Sequence, residues 1–155
     1  MGGSRYYCVK ANYKGVQSTY TSVKFEVIPT PEVTLKATGS GINVSWSFVG
    51  RNVDKYYIYR KAPGETSWER IGKTVGYENR SFTDKTVKNN KKYAYTVRGV
   101  KGSTLGSYNK KGVSKTFMAA PKVTYKVGNN VVLNWSKVSG ATKYRVYRRH
   151  DRTFE

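Results

Sequence analysis

The chain repeats itself with a period of 88–90 residues. Residues 121–149 read PKVTYKVGNNVVLNWSKVSGATKYRVYRR, and residues 31–61 read PEVTLKATGSGINVSWSFVGRNVDKYYIYRK. Trp135 follows Trp46 by 89 positions, and the matched residues on either side are shifted by 88 to 90. A period of this length is the size of one small domain with its own core. The chain is therefore predicted to be an array of small domains.

The same period divides the chain into three parts. The stretch YCVKA at 7–11 matches YTVRG at 95–99, again a shift of 88. Residues 1–28 are predicted to be the last strands of one repeat, 29–120 a complete repeat, and 121–155 the first strands of a third. Three explanations of the ends stay open. The chain is a window on a longer array, its ends lack fixed structure, or the last strands of one molecule complete the first strands of the next.

Cysteine chemistry contributes little to this chain. Cys8 is the only cysteine, so no intrachain disulfide can form. It occupies the position that Thr96 holds one repeat later, which predicts an outward free thiol on a strand. His150 is the only histidine and is far from Cys8 in sequence, so the pair does not suggest a nucleophile with its base.

Apolar residues in the complete repeat alternate with polar ones, which indicates β-strands. Ile42 and Val44 are predicted to face the core, with Asn43 and Ser45 facing out. Gly-rich and Pro-rich turn signals divide the repeat into seven short strands, a spacing typical of an antiparallel sandwich. The predicted core residues of the two repeats are Trp46, Tyr56, Ile58, Tyr93, Tyr95, Val97, Trp135, Tyr144 and Val146.

Three motifs resemble the fibronectin type III family, an immunoglobulin-like all-β sandwich. They are Trp46 late in the second strand, YYIYR at 56–60 and YAYTVRG at 93–99. The resemblance implies that Trp46 is buried between the sheets and that Tyr93 clamps the preceding loop. Arg5 replaces this tyrosine in the first partial repeat. WSKVSGA at 135–141, YRVYR at 144–148 and SYNKKG at 107–112 are similar to tandem repeats of Firmicutes surface proteins.

Catalysis finds little support in the residue types. The acidic residues Asp54, Glu65, Glu69, Glu78 and Asp84 lie in separate turns and strands. No spacing of His, Cys or carboxylates suggests a metal site, and the Gly-rich stretch 102–112 opens no helix that would cradle a phosphate. We therefore predict that the chain is not an enzyme and that it has no catalytic residue, cofactor or metal.

The formal net charge is +20, distributed as +3 over 1–28, +11 over 29–120 and +6 over 121–155. Lysines on exposed strands protect sheet edges, so a solvated surface is one interpretation. Attraction to a polyanion is the other, with an anionic cell-wall polymer as the first candidate and nucleic acid as the lesser one. Lys88, Lys91 and Lys92 form a local cluster at a predicted loop tip.

Aromatic side chains on one strand suggest a glycan-contact face. Tyr57 and Tyr59 are predicted to face outward, with Trp68 on the next predicted strand. The alternative is that these rings pack against arginine stems on the outside of the sheet. Arg145 replaces Tyr57 in the third repeat, which weakens the sugar interpretation because repeats that share a platform would keep it.

The function expected from the sequence is mechanical. The resemblance implies a non-catalytic spacer or interaction module in an extracellular protein, secreted or bound to the cell wall or cell surface. IPTPE at 28–32 and MAAPK at 118–122 are the predicted joints, restricted by prolines. Neighbouring repeats are the first partners, followed by a glycan, an anionic polymer or a host surface protein. No apolar run has membrane-spanning length. Head-to-tail self-association is the remaining alternative.

Overall fold

The computed structural model describes residues 3–150 and 153–154, and the regular elements in them are all β-strands. In chain order they are β1 Gly3–Val9, β2 Asn12–Tyr13, β3 Val16–Gln17, β4 Thr21–Val27, β5 Val33–Ala37, β6 Ile42–Trp46, β7 Lys55–Lys61, β8 Glu69–Val75, β9 Ser81–Asp84, β10 Lys91–Lys101, β11 Thr104–Leu105, β12 Val113–Phe117, β13 Val123–Val127, β14 Val131–Trp135, β15 Arg149–His150 and β16 Thr153–Phe154. No helix in these residues could cross a membrane.

The middle repeat holds two antiparallel sheets. One has the strand order β5–β6–β9, and the other has the order β11–β10–β7–β8. Strand β12 pairs with the first half of β10, and β11 pairs with the last two residues of β10. Strand β7 pairs with β10 along its other edge. The middle repeat therefore has the seven predicted strands and an eighth of two residues, β11, which lies inside the Gly-rich stretch 102–112.

Alternation along the strands builds the core between these sheets. Ile42, Val44 and Trp46 are buried on β6, whereas Asn43 and Ser45 between them are partly exposed. The rings of Trp46 and Tyr56 lie 5.3 Å apart, centroid to centroid, and so join the two sheets. The structure also places Ile58, Tyr93, Tyr95 and Val97 in this core, together with Ile28, Val49, Val53, Val87 and Phe117.

Tyr93 fixes the loop that precedes its own strand. Its hydroxyl accepts a hydrogen bond from the backbone nitrogen of Lys88 at 3.0 Å, and its ring is buried. This is the clamp that the resemblance implies. The contact also orders part of the basic cluster, since Lys91 and Lys92 belong to β10 and only Lys88 lies in the loop.

The flanking repeats differ from the predicted core. Trp135, Tyr144 and Val146 are 40%, 39% and 60% exposed, against at most 5% for their counterparts Trp46, Tyr56 and Ile58. The hairpin β13–β14 has no second described sheet over it, and residues 143–148, which match the first six residues of β7, form no strand. These side chains are exposed because no described strand covers them.

The first partial repeat shows the same exposure. Strands β1 and β4 pair with each other and with no other described strand. Tyr7 and Val9 are 65% and 75% exposed, although their counterparts Tyr95 and Val97 are fully buried. Cys8 is an exposed free thiol on β1. Thr96, at the matching position, is buried, in contrast to the predicted outward position, and lies opposite Tyr59 on β7.

Candidate functional site

The outward side of the sheet β8–β7–β10 carries the predicted aromatic residues. We call this surface the outer face and define it by Lys55, Tyr57, Tyr59, Lys61, Trp68, Arg70, Lys73, Arg98 and Tyr108. Tyr57 lies opposite Arg98 on β10 and Lys73 on β8. Tyr59 lies opposite Arg70, because the register of β7 and β8 shifts between Ile58 and Tyr59. The irregularity brings both cations of β8 to the side of the tyrosines.

Trp68 lies just before β8 and not on it, in contrast to our prediction. Its ring lies over Gly112, where an added Cβ would come within 2.5 Å of the indole and 2.9 Å of the Tyr95 carbonyl oxygen. Gly112 also has a φ of 71°, a conformation that favours glycine. The indole therefore reaches across the sheet, and this close approach requires glycine at 112.

Tyr59, Trp68, Arg98 and Tyr108 line a small depression of about 60 Å³. Tyr108 was missed in the sequence because it belongs to the Gly-rich loop between β11 and β12, which carries no strand alternation. The Nε of Arg98 donates a hydrogen bond to the carbonyl oxygen of Gly106 at 2.9 Å and so fixes its guanidinium over this loop.

Three aromatic rings of the outer face, those of Tyr57, Trp68 and Tyr108, each have a cation over them. Arg70 lies 4.7 Å and Lys55 5.7 Å from the centroid of Tyr57. Lys61 lies 4.7 Å from Trp68, and Arg98 lies 4.8 Å from Tyr108. The sequence left open whether these rings form a glycan-contact face or pack against arginine stems. The rings are half-buried with cations packed on them and still partly exposed, so the arrangement has features of both.

None of these cations forms an ion pair with a carboxylate in the described part of the chain. The ion pairs there join Lys24 to Glu26, Arg60 to Glu69 and Asp84, and Lys101 to Asp54. Asp54 and Glu69, which adjoin Lys55 and Arg70 in sequence, thus pair with Lys101 and Arg60 instead. The outer face presents uncompensated positive charge held in place by aromatic rings.

A second polar cluster lies inside the middle repeat. Asp84 on β9 is 3% exposed and accepts hydrogen bonds from Arg60 and Tyr95, each at 2.9 Å, and from the backbone and hydroxyl of Thr86. Burial raises the pKa of Asp84, but these hydrogen bonds outweigh it and hold the pKa below its ordinary value. An ionised carboxylate so fully engaged is suited to joining β7 and β9, not to proton transfer.

The joint before the middle repeat is packed into it. Strand β4 ends at Val27, and Ile28, the next residue, is already 4% exposed. An added Cβ would lie 2.8 Å from Ile28 at Gly99 and 2.6 Å from it at Gly106, so both glycines make room for this side chain. The Ile28 carbonyl oxygen accepts a hydrogen bond from the Ser107 nitrogen at 3.2 Å.

The joint after the middle repeat is also held by contacts. The backbone nitrogen of Ala119 donates to the side-chain oxygen of Asn89 at 2.7 Å. In the third repeat Val138 is 6% exposed, and Gly140 lies so close to Asn90 that an added Cβ would be 2.7 Å from it. Loop 87–90 of the middle repeat therefore contacts both the joint and the following segment.

A larger cavity than the depression at Trp68 lies beside the first joint. The cavity beside the first joint, about 600 Å³, is an open groove lined by Pro29, Thr30, Glu32, Ser47, Phe48, Val49, Gly50 and Arg51. Glu32 and Arg51 are its charged members, and neither forms an ion pair among the described residues. Within those residues no group of three His, Cys, Asp or Glu could hold a metal ion.

Comparison with known proteins identifies the fold. No protein-family model and no curated protein matches the chain. Among solved structures, a two-domain fibronectin type III segment of chicken tenascin is similar with a TM-score of 0.50 and 17% identity over 74% of this chain, which spans 63% of that segment. The FN1–FN3 domains of chicken CNTN1 have a TM-score of 0.50 and 24% identity, with coverage of 74% of this chain and 42% of theirs. The chain has the all-β fold of a fibronectin type III sandwich.

Proposed function

We propose that the chain is a non-catalytic structural module whose work is to hold its neighbours at a fixed spacing. The observation that carries this proposal is the first joint: no free residue separates the end of β4 at Val27 from the buried Ile28. Because a joint packed into a domain cannot swing freely, successive repeats keep one relative orientation. The similarity to fibronectin type III segments supports a structural or interaction module in general.

The proposal also covers the location of the protein and the two partial repeats. The motifs WSKVSGA, YRVYR and SYNKKG favour an extracellular bacterial protein of the Firmicutes type, secreted or attached to the wall. The exposed rows on β1–β4 and β13–β14 are what incomplete repeats would show, since their counterparts are buried in the middle repeat. Neighbouring repeats are therefore the first partners we propose.

The stiffness of the joint can be measured on two copies of residues 28–117 in series, where Ile28 of the second copy takes the place of Met118. Spin labels at Ser81→Cys in both copies report the distance between them. We expect one narrow distance distribution, because Ile28 packs against Gly99 and Gly106. Ile28→Gly with Pro29→Gly in the second copy should broaden it, since both the packing and the fixed φ are lost.

Pro63→Gly, in an exposed turn away from the joint, is the matched control and should leave the distribution unchanged. A broad distribution in the parent protein, equal to that of the joint variant, would rule out the fixed spacing.

A second candidate function is recognition of a glycan or an anionic wall polymer. The observation that favours it is the outer face, where three rings and the uncompensated cations over them share one side of one sheet. The two functions are compatible, because the joints and the outer face use different residues. A host surface protein and nucleic acid are the other partners that a basic face could attract.

A further inference from the structure

Whether the faces of the aromatic rings are open or covered by cations discriminates between neutral and anionic ligands. Neutral sugars stack their apolar side on an open aromatic face. On the outer face the rings of Tyr57, Trp68 and Tyr108 each carry a cation 4.7 to 5.7 Å from the centroid. A neutral sugar would have to displace these cations and would leave their charges with no anion beside them.

An anionic ligand meets the opposite situation. Arg70 and the terminal nitrogens of Arg98 make no hydrogen bond within the described residues, and no described carboxylate pairs with either side chain. The rings hold the guanidinium groups in place, so little side-chain freedom is lost when an anion binds. Arg98 and Lys73 lie on the two strands that neighbour Tyr57. Because neighbouring strands are about 5 Å apart, the backbones at Arg98 and Lys73 are separated by roughly 10 Å. This gives a row of cations across the sheet.

From these contacts we infer that the outer face binds an acidic glycan, a sugar chain with carboxylate or sulfate groups, with Arg70 and Arg98 as its main anion contacts. The inference rests on the second proposed function and names its ligand class. The edge of one sugar ring would enter the depression of about 60 Å³ between Tyr59, Trp68 and Tyr108. Duplex DNA fits this surface less well, because its major groove admits a helix or a two-stranded ribbon and not the flat side of a sheet.

The test compares three dextrans, which share one backbone, with duplex DNA. Binding of the full chain to dextran sulfate, carboxymethyl dextran, neutral dextran and duplex DNA is measured at several salt concentrations. We expect both acidic dextrans to bind and neutral dextran not to bind. Arg70→Gln with Arg98→Gln should weaken dextran sulfate binding about tenfold and lower the salt slope by about two, as expected for two lost anion contacts.

The matched control is Arg51→Gln with Arg80→Gln. It removes the same charge from two exposed arginines outside the outer face, and it should change binding by less than about twofold. Equal weakening by the two double variants would overturn the inference, because attraction would then follow net charge alone. The inference also fails if neutral dextran binds as tightly as its acidic forms, or if DNA binds more tightly than either and depends equally on Arg70 and Arg98. Binding to none of the four would overturn the second proposed function itself.

Discussion

Replacing Asp84 by alanine is expected to lower the free energy of unfolding by about 3–5 kcal/mol. The carboxylate is 3% exposed and is the partner of Arg60, whose side chain is 14% exposed. Removing it leaves a nearly buried guanidinium with only the exposed Glu69 and the hydroxyl of Thr86 as partners, and leaves the Tyr95 hydroxyl without its acceptor. Denaturant unfolding of residues 28–120 measures the loss.

Glu69→Gln is the matched control, because Glu69 bonds to the same arginine at 3.1 Å but is 67% exposed. Its loss should cost no more than about 1 kcal/mol, as expected for surface ion pairs. Equal effects of the two substitutions would contradict the structural role assigned to Asp84.

The same cluster sets a pH dependence. The folded pKa of Asp84 lies below its ordinary value, so its contribution is present above the unfolded pKa of about 3.9 and is lost as the pH falls through the folded pKa. Burial and the nearby Asp84 raise the pKa of Tyr95, so the fold also loses stability as the pH rises above about 10. Stability of the Asp84→Asn variant should depend less on pH in the acid range.

Replacing Trp46 by alanine is expected to cost about 3–5 kcal/mol, because its ring fills the space between the two sheets beside Tyr56. The chain contains its own control in Trp135, the counterpart one repeat later. Trp135 is 40% exposed, so Trp135→Ala should cost less than about 1 kcal/mol. Thermal or denaturant unfolding of the full chain compares the two variants directly.

Trp46→Phe refines this prediction. The indole nitrogen of Trp46 is buried without a hydrogen-bond partner in the described residues. Replacing the indole by a phenyl ring therefore loses packing contacts and no hydrogen bond. We expect a smaller loss than for Trp46→Ala. A large effect of Trp135→Ala, comparable to that of Trp46→Ala, would show that the third repeat has a core of its own.

Alternation and the internal repeat predicted most of the middle repeat. The inward positions of β6 and β7 followed from strand periodicity, which depends only on neighbours in sequence. The Tyr93 clamp followed from the resemblance to a family. It is a local contact, since its partner Lys88 lies only five residues earlier in the loop before β10. The exposure of Trp135, Tyr144 and Val146 did not follow, since burial depends on strands that the local pattern does not reveal.

The outer face was predicted in part. Tyr57 and Tyr59 followed from alternation, but the place of Trp68 depends on its approach to Gly112, 44 positions later. The register shift on β8 that brings Arg70 opposite Tyr59 has no signal in the sequence. Asp84 was one scattered acid among several, because its bond to Arg60 joins two sheets across 24 positions.

Residue-resolved hydrogen exchange of the full chain tests the central claim, that one complete sandwich lies between two incomplete repeats. Amides of β6, β7 and β10 should exchange only through global unfolding, because these strands line the closed core. Amides of β1, β4, β13 and β14 should exchange much faster at every protein concentration, since isolated hairpins are marginally stable. Equal protection of the flanking hairpins and the middle repeat would contradict the claim, and protection that rises with concentration would show that molecules complete one another head to tail.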